Sequence, residues 1–301
     1  MLTLEGSWSG EITLNPISGS MNIALITNSL AGNGRAIELS HQIQSILEKR
    51  EIGSKIFKEN DWGDEVYNYD QAWIVGGDGT VNYFVNQYHD IKKPLCIFNG
   101  GTGNDFYALL YGNITLENQI AKVLSTNPKP IDAGKCNEHY FLNGVGLGFE
   151  GAVAKSMMGT KKFHGKISFM LHILKHIFTY KEQAYTVKAE DKEIEHTCLM
   201  ISIANGRRYG GGFYVAPLAD PQDGQFEAIL VQKLSVFKRL RYLPVIEKGK
   251  HLSLPFITYF QTKKIVISGT DSNIQAHLDG EYMEAKELVI EALPSHFNFV
   301  Y

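Results

Sequence analysis

The chain has 301 residues, 44% hydrophobic and 20% charged, with a formal net charge of -3 and a pI near 6.4. That length holds one large domain or two ordinary ones, and the near-neutral balance supplies no global field for nucleic acid. No apolar run of about 18 residues is present, which excludes a membrane-spanning helix. The three cysteines, Cys96, Cys136 and Cys198, lack C-x-x-C spacing and read as reduced thiols in a cytoplasmic setting.

Residues 1–20 are Ser/Gly-rich, lack the features of a signal peptide and read as a tail or an artificial addition, with Met21 as an alternative first residue. Asn22 to Thr27 predicts a buried strand, followed by a glycine-containing turn and a helix from Ala36 to Lys49 with apolar residues at 39, 43, 46 and 47. Ser54 to Phe57 and Gln71 to Val75 predict two more strands. The second runs into GGDGTVN and a helix from about Val81 to Tyr88. Pro94 to Phe98 predicts a fourth strand, followed by NGGTGNDF and a helix from about Tyr107. Strands that end in glycine turns and lead into helices define an open, parallel α/β sheet. Near Pro128 the pattern becomes strand-rich, interrupted by one clear helix, Ile167 to Phe178. The expected fold is therefore an α/β domain over 21–130, followed by an antiparallel β-sandwich domain over 131–301.

Three glycine turns at strand ends of one sheet gather at the edge where α/β proteins bind ligands. Glycine has no Cβ, so main-chain N–H groups can approach phosphate oxygens closely, and the following helix N-termini favour negative charge. Neither the G-x-x-x-x-G-K-[ST] nor the G-x-G-x-x-G spacing fits. Asp78 and Asp105 lie inside these turns and would repel a phosphate unless a divalent cation lay between. Mg²⁺ takes one or two carboxylates together with waters and substrate phosphates. Asp132 is either a third such ligand or a turn residue.

The segments AWIVGGDGTVN, NGGTGNDF, NGRRYGGGFYVAP, DGQFEAILV, GKH and HLDGE, in this order, resemble the diacylglycerol kinase catalytic family, specifically its soluble bacterial lipid kinases. The resemblance covers about residues 22–301. It implies ATP- and Mg²⁺-dependent transfer of the γ-phosphoryl group to a lipid hydroxyl, in a cleft between an α/β domain and a β-sandwich. By the same resemblance, Asn28, Ser29, Leu30, Ala31 and Gly32 form the first nucleotide loop. The second comprises Gly76, Gly77, Asp78, Gly79, Thr80, Val81 and Asn82, and the third supplies Gly101, Thr102 and Asn104. Asp78, Asp105 and Asp132 match the metal-linked aspartates, with Asp78 in a catalytic role. Glu281 matches the general base, and Asp223, in the segment Asp220 to Gln225, matches the carboxylate of a structural Mg²⁺ site. Three departures stand out. Ser29 replaces the usual proline after Asn28, Asn99 occupies a proline position, and the segment from Lys58 to Asp70 is short and acidic where relatives place a helix.

Two basic and aromatic stretches, Lys161 to Lys166 ahead of the predicted helix and Lys233 to Tyr242, read either as solvated surface or as contacts to an anionic membrane. The expected partner is a lipid substrate at a membrane surface, with no nucleic acid. The expected setting is cytoplasmic with peripheral membrane association, and a homodimer is one admissible assembly. Two other readings stand beside the lipid kinase: a kinase of a soluble acceptor such as NAD, and a nucleotide-binding regulator without catalysis.

Overall fold

The computed structural model describes residues 21–59, 62–158, 166–190, 192–270 and 273–301, and only the main chain of Lys166, Ile167 and Lys192. The readings of residues 1–20 and of the stretch from Lys161 to Gly165 lie outside the described residues.

The first part alternates strand and helix: β1 (Asn22–Thr27), α1 (Arg35–Glu48), β2 (Gly53–Phe57), β3 (Gln71–Gly76), α2 (Asp78–Gln87), β4 (Leu95–Asn99), α3 (Asp105–Tyr111) and α4 (Leu116–Ser125). β1 pairs in parallel with β2 on one side and β3 on the other, and β3 pairs in parallel with β4. The winding direction therefore reverses between β1 and β3, which opens a crevice beyond the carboxyl ends of these strands. β1 and β3 read as continuous apolar runs because both of their faces are covered: Ile23 to Ile26 and Trp73 to Val75 are fully buried.

The second part contains β5 (Lys129–Cys136), β6 (His139–Phe141), β7 (Gly144–Gly148), α5 (Phe149–Met157), α6 (Lys166–Thr179), β8 (Gln183–Ala189), β9 (Lys192–Ala204), β10 (Phe226–Gln232), α7 (Val236–Glu247), β11 (Ile257–Thr262), β12 (Lys264–Gly269), β13 (Ile274–Leu278), β14 (Glu281–Ala285) and β15 (Glu287–Phe299). The pairings among these strands are antiparallel. One core lies between the strand layers around Phe141, Tyr185, Phe226 and Ile290, and another lies under the helices around Ile173, Ile177, Phe213 and Ile229. The expected fold class, an α/β domain followed by a β-sandwich-like domain, is the one observed.

The last strand ties the two parts together. β15 pairs with β5, then reaches β4 in parallel at Phe299 opposite Leu95. Phe297, Phe299 and Val300 are buried in the core of the α/β part, far in sequence from their neighbours.

Three details differ from the sequence expectation. The second part holds α5 and α7 as well as the expected α6. α5 is short and contains Gly151, and α7 contains Pro244, so neither presents a clean helical period. α2 and α3 begin on Asp78 and Asp105 themselves, some residues earlier than expected. The segment after Phe57 carries a short 3-10 helix, Asp64–Asn68.

Candidate active site

The three glycine turns meet. Gly32 has φ +60, and a Cβ there would stand 2.3 Å from the Gly100 carbonyl oxygen. A Cβ on Gly101 would stand 2.2 Å from the Gly77 Cα, so the second and third turns touch backbone to backbone. Two main-chain bonds lock this contact: Asp78 N to Gly103 O at 3.0 Å and Gly100 N to Gly76 O at 3.0 Å. Glycine is required here because any side chain would push one turn off the other.

Side chains brace the assembly from behind. Arg35, at the start of α1, donates from Nη2 to Asn99 Oδ1 at 2.8 Å and to the Gly101 carbonyl. Asn99 thus supplies an acceptor. Ser29 donates through both its main-chain N–H and its hydroxyl to Glu59, in the short 58–70 segment. These bonds hold the Glu59 carboxyl below its ordinary range. Ser29 therefore contributes two donors to this turn. Within the same turn, Leu30 N donates to Asn28 Oδ1 at 3.0 Å.

Asp78 accepts from Asp105 N at 2.9 Å and Phe106 N at 3.2 Å. It caps α3, so that helix N-terminus serves a carboxylate of the protein and is not open to a ligand. Burial pushes the Asp78 carboxyl up to about 6. Asp105 accepts from Gly211 N at 3.0 Å, and Arg208 Nε lies 3.3 Å from its other oxygen. Burial raises the Asp105 carboxyl and the Arg208 cation counters the rise. The loop carrying both partners has three consecutive left-handed glycines, Gly210, Gly211 and Gly212, which carry the second part onto the third turn.

A second contact comes from the hairpin joining β13 to β14. Its turn is Asp279-Gly280, both at positive φ (49 and 94), as a two-residue Asp-Gly hairpin turn demands. Leu278 faces Glu281 in register. The Asp279 carboxylate accepts from the N–H groups of Leu142, Asn143 and Gly144 at 2.8 to 2.9 Å, and Asn82 Nδ2 on α2 reaches it at 3.3 Å. So anchored, the turn holds Glu281 above α2: Oε1 lies 3.1 Å from where a Cβ on Gly79 would stand. Glu281 itself is exposed.

Of the residues expected from sequence, those of the three turns, Asp78, Asp105 and Glu281 come together at this edge. Thr102 is exposed there, and Asn104 Nδ2 folds back on Gly101 O. Thr80 packs against Gly76, whose missing Cβ leaves room for it. Val81 is a core residue, 3% exposed, and its main-chain N–H is already bonded to Gly77 O. Asn82 is committed to Tyr140 O and Asp279. Asp132 has different partners: its oxygens accept from Gly224 N and Ser295 N, both at 2.7 Å. It is thereby joined to the turn that carries Asp223, where Asp223 Oδ1 accepts from Gln225 N. Sequence reasoning missed Asp279, Arg208, Arg35 and Glu59. For Asp279 a signal existed, since Asp-Gly between two alternating strands is a strong hairpin mark; the others are surface charges until the fold closes.

Behind the hairpin lies a buried polar cluster. Glu150 Oε2 accepts from Ser202 Oγ at 3.1 Å and Tyr209 OH at 3.4 Å, with His277 Nε2 at 3.9 Å. Burial pushes the Glu150 carboxyl up to about 8 and pulls the His277 imidazole down to about 4. At neutral pH the two are therefore neutral neighbours and not an ion pair. His277 Nδ1 accepts from Gly280 N at 3.2 Å, which supports the hairpin turn from below.

Among the described residues no group of three or more His, Cys, Asp or Glu forms a metal cage. Mg²⁺ arriving with a nucleotide needs only one or two protein carboxylates. Asp78 and Asp105 are the carboxylates beside the turns.

Residues 22–136 match the family model of the diacylglycerol kinase catalytic domain, and residues 143–301 match that of the YegS C-terminal NAD kinase beta sandwich-like domain. A protein of Staphylococcus haemolyticus named "Putative lipid kinase" is 33% identical over 234 residues, 75% of this chain and 74% of that one. The "Putative lipid kinase YtlR" of Bacillus subtilis is 27% identical over 298 residues, covering 90% of this chain and 96% of its own. In fold, the chain is similar to a crystal structure from Bacillus anthracis titled as a putative diacylglycerol kinase, with TM-score 0.73, 24% identity and coverage of 94% and 97%. It is also similar to an NAD kinase from Archaeoglobus fulgidus in complex with ATP, with TM-score 0.56, 16% identity and coverage of 93% and 94%.

Proposed function

The chain belongs to the family of lipid kinases that joins a diacylglycerol kinase catalytic domain to a YegS-type C-terminal domain, and on that premise we propose that it transfers the γ-phosphoryl group of ATP to the hydroxyl of a lipid alcohol such as diacylglycerol. In this reading the acceptor oxygen forms a bond to the γ-phosphorus as the bond from that phosphorus to the β–γ bridging oxygen breaks. The hydroxyl proton passes to the Glu281 carboxylate, and ADP leaves. Mg²⁺ bound with the nucleotide would neutralise phosphate charge beside Asp78 and Asp105. The chain's own contributions are the bare glycine main chain of the Asn28–Gly32, Gly76–Asn82 and Gly101–Asn104 turns, which a nucleotide can approach closely, and a base fixed in place. Arg208 adds a cation at the same edge.

The observation that carries this reading is the placement of Glu281 against Gly79 by the Asp279 anchor. A nucleotide lying on the glycine turns would have a carboxylate above its end. Phosphoryl transfer asks a protein mainly for such positioning. The names of the relatives support a lipid acceptor over a soluble one, whereas the NAD kinase likeness bears on the fold alone. Incubation with γ-labelled ATP, Mg²⁺ and either a total lipid extract or NAD tests the proposal. Label is expected in a lipid with a free hydroxyl; label in NADP, or none in any lipid, would refute it.

A further inference from the structure

We propose that the paired helices α6 and α7 form a docking face for an anionic lipid bilayer, an inference that rests on the lipid-acceptor reading only for its biological use. The two helices are locked together by one buried side chain. Arg239, on the first turns of α7, donates to the carbonyls of Ile177 and Tyr180 at 2.9 and 3.0 Å, capping the end of α6. It also pairs with Glu182 at 2.7 Å. The outer side chains therefore move as one body.

Those outer side chains are of two kinds. On α6, Leu171, Lys175 and Phe178 follow each other at helical spacing on the face opposite the buried Ile173 and Ile177, with Leu171 62% and Phe178 63% exposed. On α7 and the turn before it, Phe237 stands 85% exposed among Lys233, Lys238, Leu240 and Arg241, all exposed. Lys181 follows α6 and is exposed as well. Among the described residues of this face the nearby Glu182 is already held by Arg239, and no exposed residue of α6 or α7 is acidic. A single exposed apolar side chain is ordinary, but several interleaved with cations on one rigid pair are not. Apolar tips between basic residues match a bilayer interface: the rings and aliphatic chains enter the acyl boundary while the cations meet anionic headgroups. A second copy of this chain fits poorly, because a two-fold contact would bring like charges together.

The face also leads to the candidate site. Phe169, one turn before Ile173 on α6, lies 3.0 Å from where a Cβ on Gly210 would stand and packs edge-on against Phe213 at 6.2 Å. The adjoining Gly211 N–H donates to Asp105. An acceptor leaving the bilayer beside α6 would thus reach the sandwich side of the cleft along one helix.

The test is sedimentation of the full chain, without ATP, with phosphatidylcholine vesicles containing or lacking phosphatidylglycerol. The intact protein is expected to bind the anionic vesicles and to release them at high salt. Removing three cations (Lys233→Ala, Lys238→Ala, Arg241→Ala) should weaken binding roughly 100-fold, at about fivefold per cation. Phe178→Ala with Phe237→Ala should weaken it about tenfold or more. Both variants should keep the intact protein's melting temperature and its phosphorylation of a detergent-dispersed acceptor. Binding equal to the intact protein in both variants, or no preference of the intact protein for anionic vesicles, would overturn the proposal. Anionic-vesicle binding that depends on these residues in a protein that phosphorylates no lipid would uphold the docking face while the acceptor reading fell.

Discussion

Gly79→Ala separates the demands of folding from those of the candidate chemistry. Gly79 is an exposed residue in the first turn of α2, in a helical conformation open to alanine. On stability alone the change is favourable, by about 0.4–1 kcal/mol through the unfolded chain and helix propensity. For a chain of this size that raises the melting temperature by roughly 1 to 3 °C. The new methyl would stand 3.1 Å from Glu281 Oε1, closer than comfortable contact, with nothing else beyond its own stretch of helix within 4 Å. The carboxylate is the flexible partner and must move, by a few tenths of an ångström at least. If Glu281 accepts the hydroxyl proton, a shift of that order lowers kcat about 3- to 10-fold, since misplacement by about 1 Å costs roughly 100-fold. Calorimetry and steady-state kinetics, with nucleotide affinity measured directly, report the three quantities. A more stable protein with normal nucleotide affinity and depressed kcat is expected. An unchanged kcat would refute the idea that Glu281 works from above Gly79.

Asp279→Ala leaves the N–H groups of Leu142, Asn143 and Gly144 unpaired; it should cost about 3 kcal/mol in denaturant unfolding and lower kcat with it. Asp78→Ala removes the cap on α3 as well as a site carboxylate, so loss of transfer should come with a loss of about 1–2 kcal/mol in stability. Glu150 gives a pH signature. Burial raises its carboxyl to about 8 from 4.5, so the folded state keeps a proton that the unfolded chain releases, and this stabilisation is complete at low pH and lost as pH rises through about 8. His277, lowered to about 4 from 6.5, acts in the opposite sense below 6.5. Between 6.5 and 8 Glu150 therefore stands unopposed by His277, and Glu150→Gln should flatten the fall in unfolding free energy there, by up to about 1.4 kcal/mol per pH unit. Equal slopes for both proteins would contradict that assignment.

The parts of this molecule legible in its sequence are those where local chemistry dictates local structure. Apolar runs that lead into glycine-containing turns announce β1, β3 and β4, because doubly covered parallel strands need no alternation. The convergence of those turns follows from topology and could be expected. The closing contacts could not: Arg35 on Asn99, Asp279 on the Leu142–Gly144 main chain and Phe299 beside Leu95 join residues many positions apart, and each looks like an ordinary surface charge or strand residue until its partner is known. Asp132 shows the limit most plainly. Beside glycine its aspartate chemistry suits a metal or a turn equally, and only the fold assigns its oxygens to Gly224 and Ser295. α7 was hidden by Pro244 and by a polar, basic composition that reflects its exposed side.

The most direct test of the proposed chemistry pairs two measurements on Glu281→Gln, a change that keeps the shape of an exposed side chain. Nucleotide affinity should stay within a few-fold of the unaltered protein, while phosphoryl transfer to lipid in a single turnover should fall by about 100- to 10,000-fold, the range general-base removal produces. Transfer at a near-normal rate, with the nucleotide bound equally well, would show that the carboxylate above α2 takes no proton.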